Sequence, residues 1–207
     1  MEDGRVYRRF FKRLLDIILS LLGLIVLSPV LFGAWVAVFF ALGWPVFFRQ
    51  DRPGKDGRIF RILKFRTMRV AKAGEDALAS DGVRLTQLGS VLRKASIDEL
   101  PELWNVLVGE MSLVGPRPLL VEYLPLYSAE QARRHEVRPG ITGWAQVNGR
   151  NAVDWTERFR MDVWYVDHCS FWLDVKILVM TVASVFKREG ISAAGHATMP
   201  PFGREEN

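Results

Sequence analysis

The chain is organised around one apolar run. From Ile17 to Phe48 there is no charged side chain, and only Ser20, Ser28, five small or helix-breaking positions and a tryptophan pair interrupt the aliphatic and phenylalanine residues. A straight helix of that length would extend roughly 48 Å, whereas the hydrocarbon core of a bilayer is about 30 Å thick. Tilting absorbs part of the excess, and a break absorbs all of it. Ser28-Pro29 stands at the middle, where proline removes a backbone hydrogen bond and the serine hydroxyl can satisfy a freed carbonyl. Arg5, Arg8, Arg9, Lys12 and Arg13 precede the run, and Arg49, Arg52, Lys55, Arg58, Arg61 and Lys64 follow it. Positive flanks mark the cytoplasmic side. Basic residues at both ends set a helix–break–helix that returns through the same leaflet against a single span kinked at Pro29.

Beyond the run the periodicity changes several times. Arg58–Met68 mixes basic and apolar residues as a half-exposed strand does, with Arg61, Lys64 or Arg66 on one face. Ala71–Gly82 is small and polar and reads as a loop. Thr86 is placed to cap a short helix ending in Arg93 and Lys94. The next helix opens near Ser96–Asp98 and runs to Gly109, with Leu100, Leu103, Trp104 and Leu107 at i, i+3, i+4, i+7 on an inward face. Pro139-Gly140 and Asn148-Gly149 bracket a short strand, Thr142–Val147, as in a hairpin. Phe171–Arg188 reads as a helix whose Asp174 and Lys176 make it interfacial or buried, not a second span. The expected fold class is therefore α+β, mostly helical, with an N-terminal membrane element over residues 1–49, a catalytic part over 50–207, and small β-hairpin elements.

Composition narrows the chemistry. Among 207 residues the net charge is +5, which suits phosphate-bearing ligands, anionic lipid or nucleic acid. Nucleic acid is the weakest of these, because many cations lie beside the apolar run and no recognition motif accompanies them. Cys169 is the only cysteine, and His135, His168 and His196 have no zinc-ligand spacing.

The stretch Ser96–Pro118 holds the candidate chemistry. Asp98 and Glu99 are adjacent acids at a helix start, and Arg117 follows between Pro116 and Pro118. Ser96-Ile97-Asp98-Glu99 also fits a capping box, which would leave Glu99 a structural role. A cap at Ser96, however, would put Pro101 beyond the first turn, where its missing N–H is felt. A guanidinium in a proline-restricted turn suits bidentate grip of phosphate. Acids facing a phosphate call for a metal ion nearby, which points to phosphoryl transfer.

Several of these segments in order resemble the bacterial monotopic phosphoglycosyl transferases, the bacterial sugar transferases of glycoconjugate assembly. They are Lys12-Arg13-Leu14-Leu15-Asp16, Ser28-Pro29, Lys64-Phe65-Arg66-Thr67-Met68, Asp98-Glu99-Leu100-Pro101, Gly115-Pro116-Arg117-Pro118 and Arg138-Pro139-Gly140-Ile141-Thr142-Gly143. Within the family, Leu119–Tyr127 and the short chain resemble the small enzymes of protein N-glycosylation, which transfer phospho-N,N′-diacetylbacillosamine from its UDP form. The resemblance implies a re-entrant membrane helix, a bacterial inner-membrane location on the cytoplasmic face, and transfer from a UDP-sugar to polyprenyl (undecaprenyl) phosphate. Neighbouring enzymes of the glycosylation pathway are implied as partners. It implies Mg²⁺ as cofactor, Asp98 as nucleophile, and Glu99, with Asp98, as metal ligand. It implies phosphate contact by Arg117, and supporting roles for Lys64, Arg93 and Asp162. A one-step transfer and a non-catalytic membrane anchor are the competing readings. The anchor reading gives no reason for two acids beside Arg117.

Overall fold

The computed structural model describes residues 7–71, 81–149, 153–187 and Phe202. After a π-helical turn at Tyr7–Phe11, helix α1 (Lys12–Val26) and helix α2 (Ser28–Leu42) divide the apolar run between them. They meet at an angle of 62°, and no single helix among the described residues is long and apolar enough to cross a membrane. The break has a local cause. Pro29 lies in the first turn of α2, where its missing N–H costs little, and the Ser28 hydroxyl donates to the Ile25 carbonyl at 2.8 Å. The bent pair is consistent with a re-entrant helix–break–helix.

The apolar run does not end as a helix. Its last residues enter strand β1 (Phe47–Pro53), which pairs antiparallel with β2 (Ile59–Phe65) in a register from Phe47↔Phe65 to Pro53↔Ile59. The second strand is the one that alternation indicates. The first is hidden in the sequence because Phe47 and Phe48 read as membrane-facing. Arg66 closes the join: it is buried, and one guanidinium nitrogen donates to the carbonyls of Leu42 and of Gly43, the latter at 2.7 Å. A cation on the carbonyl end of α2 satisfies acceptors that a helix leaves open.

Helix α3 (Gln87–Lys94) is capped by Thr86 as expected, its hydroxyl accepting from Gly89 N at 3.0 Å. The expected loop at 71–82 falls mainly on residues 72–80, outside the described residues. The next helix differs from expectation. Ile97–Glu99 forms a 3-10 turn, and helix α4 (Glu102–Val108) starts only after Pro101. Ser96 is left-handed (φ 54°) and makes no side-chain cap bond, so no capping box forms. Pro101 enforces the late start. Trp104 is 53% exposed, while Glu102, Leu103, Asn105 and Val106 are buried, which turns the buried face of α4 away from Trp104. Polar Glu102 and Asn105 take inward positions because charged and polar groups on neighbouring elements meet them.

The Gly-Pro-Arg-Pro and Arg-Pro-Gly-Ile-Thr-Gly segments fold against each other. Strand β3 (Ser112–Val114) runs parallel to β4 (Gly140–Thr142), and the pairing continues through Gly115 N to Thr142 O at 2.9 Å and Gly140 N to Pro116 O at 3.0 Å. The approach is close enough that a Cβ on Gly115 would lie 2.4 Å from the Arg138 carbonyl oxygen. The expected hairpin strand Thr142–Val147 therefore stops at Thr142. With its partner strand used up, the chain turns into a one-turn helix at Trp144–Asn148.

Helices α5 (Trp155–His168) and α6 (Phe171–Lys187) complete the described fold. The membrane element docks through polar contacts. Arg13 donates to the carbonyls of Val106 and Leu107 at the end of α4 (2.6 and 2.8 Å), and the Asp16 carboxylate accepts from Leu113 N and Ser112 Oγ, both at 3.0 Å. Asp174 of α6, buried, pairs with Lys12 and accepts from the hydroxyls of Tyr7 and Tyr165, each at 2.7 Å. Helix α6 is thus buried along one side and exposes Trp172, Val179 and Val182 on the other. A Gly115→Ala variant, which forces a methyl group into backbone, should lose about 1–3 kcal/mol of stability. Thermal unfolding of the detergent-solubilised protein measures this, and an unchanged transition would contradict the packing.

Candidate active site

Three carboxylates from one segment meet two cations from separate elements. Glu99, in the 3-10 turn, receives the Lys64 ammonium of β2 at 2.7 Å on Oε1. The Arg117 guanidinium takes both oxygens of the same carboxylate, one through Nη2 and the other through Nη1 at 3.4 Å. Lys64 also lies 3.0 Å from Glu102 Oε1, an ion pair whose angle falls short of a hydrogen bond. Asp98 is buried beside them, and among the described residues no group donates a hydrogen bond to its carboxylate.

Chain geometry explains the convergence. Pro101 confines the helix to residues after it, so Asp98 and Glu99 sit in a tight turn facing β2 instead of pointing along a helix axis. Asn105 fixes α4 against that strand: its Oδ1 accepts from Leu63 N at 3.0 Å and its Nδ2 donates to Arg61 O at 2.8 Å. Lys64 is thereby aimed at Glu99 and Glu102. The left-handed Gly109 (φ 95°) ends the helix, with Arg138 Nε donating to its carbonyl at 2.9 Å.

The remaining expected residues take different distances from the dyad. Arg93 donates from Nε to Thr67 Oγ1 at 3.1 Å and adds positive potential at Asp98. Asp162 does not reach the dyad. It is buried in a pair with Arg134, at 2.7 Å, and Arg134 in turn donates to the backbone carbonyl of Arg117 at 2.8 Å. Asp162 thus acts on the site through the Arg117 turn. Glu102, Asn105 and Arg134 are the residues that sequence reasoning passed over. Glu102 had a signal, since it lies three residues after Glu99 and so on the same side of a helical turn. Asn105 and Arg134 had none, because their partners are remote in sequence.

The fields differ among the acids. Burial raises the Glu99 carboxyl, but Arg117 and Lys64 outweigh it and hold the group well below the usual carboxylate range. Burial first, and the Glu99 charge second, push Asp98 upward, while Lys64, Arg93 and Arg117 pull it back in part. Glu102 is pushed up to about 7, chiefly by burial. At neutral pH the cluster holds a fixed anion at Glu99 and two carboxylates whose ionised forms are costly, an arrangement prepared for added positive charge.

The donor set bears on magnesium. Asp98 and Glu99 offer only oxygen, which suits a hard divalent cation. Among the described residues no three His, Cys, Asp or Glu side chains gather as a full metal cage. One or two carboxylates completed by water and substrate phosphate is the usual way Mg²⁺ is held.

A family model described as bacterial sugar transferase matches residues 7–188. The chain is 53% identical over 191 residues to the "Uncharacterized sugar transferase EpsL" of Bacillus subtilis, covering 92% of this chain and 95% of that one. It is 43% identical over 186 residues to the "UDP-glucose:undecaprenyl-phosphate glucose-1-phosphate transferase" of Klebsiella pneumoniae, covering 85% of this chain and 40% of that one. It is 38% identical over 200 residues to the "Undecaprenyl-phosphate galactose phosphotransferase" of Salmonella typhimurium, covering 88% and 42%. The chain thus spans about two-fifths of the length of the last two.

The raised Glu102 group has a consequence for stability. A carboxyl that binds its proton more tightly when folded stabilises the fold fully below its unfolded value and loses that contribution as pH rises through about 7. Glu99 has the opposite sign and loses its contribution only as pH falls below the ordinary carboxylate range. The melting temperature of Glu102→Gln should therefore gain on that of the wild type as pH rises from about 5 to about 8. A pH-independent difference would rule this assignment out.

Proposed function

The chain belongs to the bacterial sugar transferase family, and from that membership we propose that it transfers a sugar 1-phosphate from a UDP-sugar to polyprenyl phosphate through a covalent intermediate on Asp98. The single observation that carries the covalent step is the burial of Asp98 beside Glu99, with no hydrogen bond to its carboxylate, under the positive potential of Lys64, Arg93 and Arg117. A carboxylate without donors keeps its lone pairs for attack, and nearby cations offset part of the cost of ionising it and attract the diphosphate.

In this reading an Asp98 carboxylate oxygen attacks the β-phosphorus of the donor. A bond forms between that oxygen and phosphorus, the bond to the UMP oxygen breaks, and UMP leaves. An oxygen of polyprenyl phosphate then attacks the same phosphorus, forming the diphosphate and restoring Asp98. Dividing the transfer lets a soluble donor and a lipid acceptor use one position in turn. Arg117, half-exposed, can pass part of its guanidinium from Glu99 to an equatorial phosphate oxygen. Lys64, shared between Glu99 and Glu102, holds the acids so that only Asp98 faces the reacting phosphorus. Arg134 and Asp162 keep the Arg117 turn in place. Mg²⁺, held by Glu99 and Asp98, would neutralise the diphosphate and the departing phosphate.

Relatives named for UDP-glucose and galactose transfer support a UDP-hexose as the donor class. N,N′-diacetylbacillosamine is the specific sugar that the Leu119–Tyr127 segment favours, and a UMP-release screen across UDP-sugars decides it. With the donor alone, stoichiometric UMP should appear and a phosphosugar should be found on Asp98 by mass spectrometry. Turnover by Asp98→Asn would overturn the covalent step, and UMP release strictly dependent on acceptor would favour one-step transfer. In the cell, cysteines placed at Asp3 and Asp56 should react with a membrane-impermeant reagent from the cytoplasmic side alone. Labelling from opposite sides would exclude the re-entrant topology.

A further inference from the structure

One arginine of the hairpin has no anion of its own. Arg52 of β1 stands opposite Phe60, and Phe48 stands opposite Lys64. Arg52, Gln50 and Lys64 therefore share the face of the hairpin that looks toward Glu99 and Glu102. The Arg52 Nη2 donates to Gln50 Oε1 at 2.6 Å. Among the described residues its buried Nε has no hydrogen-bond partner, and no carboxylate pairs with the guanidinium. Arg117 and Arg134 differ in this respect, since they hold Glu99 and Asp162.

The surroundings make a missing anion costly. Arg52 is half-buried beside Arg117, Glu102, Tyr123 and Tyr127, and burial first, then the Arg117 charge, disfavour its protonated form. Glu102, pushed up to about 7, supplies only part of a charge near neutral pH. Lys64, Arg52 and Arg117 thus meet one firmly ionised acid, Glu99, and two whose ionised forms are costly. A phosphate-bearing ligand fits such an excess of cations. Position indicates which phosphate. Phe48 and Arg52 are four residues apart, so Arg52 lies about 13 Å along the strand from the level of Lys64. Arg117 bears on both Asp98 and Arg52, which makes Arg52 the continuation of a row of cations leading away from the dyad. Entering and leaving oxygens stand on opposite sides of a phosphorus under attack, so the leaving phosphate lies on the side away from Asp98.

We propose that Arg52 binds the α-phosphate of the UDP-sugar and the phosphate of the departing UMP, and so assists the first half of the transfer and not the second. This assignment rests on the transfer reaction proposed above. When the Asp98 oxygen bonds to the β-phosphorus, the bridging oxygen keeps the electron pair of the broken bond and stays on UMP. The α-phosphate, singly charged within the diphosphate, becomes a phosphomonoester with a second negative charge. A guanidinium held beside it without another anion gains most as that charge develops. Acceptor attack restores Asp98 after UMP has gone, and no charge then develops beside Arg52.

Binding separates Arg52 from the chemistry. UMP and uridine are titrated into full-length protein in bilayer nanodiscs, as wild type, Arg52→Ala and Arg52→Gln, with circular dichroism to verify the fold. Wild type should prefer UMP, and both variants should lose about tenfold of that preference through weaker UMP binding alone. Arg52→Gln keeps a long side chain with a polar end, so its result stands even where Arg52→Ala unfolds. A preference preserved in the folded variants overturns the assignment, as does equal weakening of uridine. A wild type that does not prefer UMP overturns the UDP-sugar reading itself. UMP is a product of one-step and two-step transfer alike, so failure of the covalent step leaves the titration readable. In single-turnover kinetics, UMP release from the donor should slow about tenfold or more in Arg52→Gln. Transfer from accumulated phosphosugar-enzyme to polyprenyl phosphate should keep the wild-type rate, and equal slowing of both halves counts against the assignment.

Discussion

The arginine that joins the membrane element to the dyad helix is the contact on which the rest of the arrangement depends. Arg13, the second residue of α1, donates to the carbonyls of Val106 and Leu107 in α4, and Arg138 donates to that of Gly109. A helix end buried without such partners would be costly, and here one of the partners comes from the bent apolar helix pair. The position of the bent pair and that of the dyad are therefore linked. Arg66 repeats the device at the far end of α2. With both ends of the bent pair held by cations on backbone carbonyls, the pair cannot shift without moving the hairpin and the dyad turn together.

Charge at the site is balanced locally by construction. Glu99 is claimed by two cations at once, and Glu102 shares one of them, which leaves Asp98 as the acid with the least direct pairing. The difference in role between two adjacent residues arises from geometry: Glu99 has the longer side chain and reaches β2 and the Arg117 turn, whereas Asp98 stays close to the backbone of its own 3-10 turn. Behind them, the Asp162–Arg134 pair is buried, satisfied and attached to the Arg117 carbonyl, so the cation on the exposed side of the site rests on a rigid support.

What the sequence disclosed, and what it did not, follows from range. The break at Ser28-Pro29, the strand at Ile59–Phe65, the cap at Thr86 and the helix at Phe171–Lys187 are local events with local signals, and all were legible. Dyad and arginine could be identified as chemistry from adjacency and flanking prolines. Trp104 was misassigned because periodicity treats any indole as core, while the inward positions of α4 include polar Glu102 and Asn105 beside Leu103 and Val106. The end of β4 at Thr142 depends on the length of β3 some thirty residues earlier, and no pattern within Thr142–Val147 reports that. The β1 strand was masked for a related reason: phenylalanine is equally at home in lipid and in a hairpin that borders it.

Strand β2 also shows how narrow the boundary between two solvents can be. Across a single peptide plane the surroundings change from hydrocarbon to a cluster of ions, and the antiparallel register with β1 sets which residue meets which. Sliding that register by one position would present Lys64 to the apolar side of the strand and Leu63 to the acids, inverting both environments at once. Insertions are thus tolerable in the exposed turn around Lys55–Gly57 but not within the paired strands. The hairpin acts as a ruler between the two phases, and its seven-residue strands carry the unit of measurement.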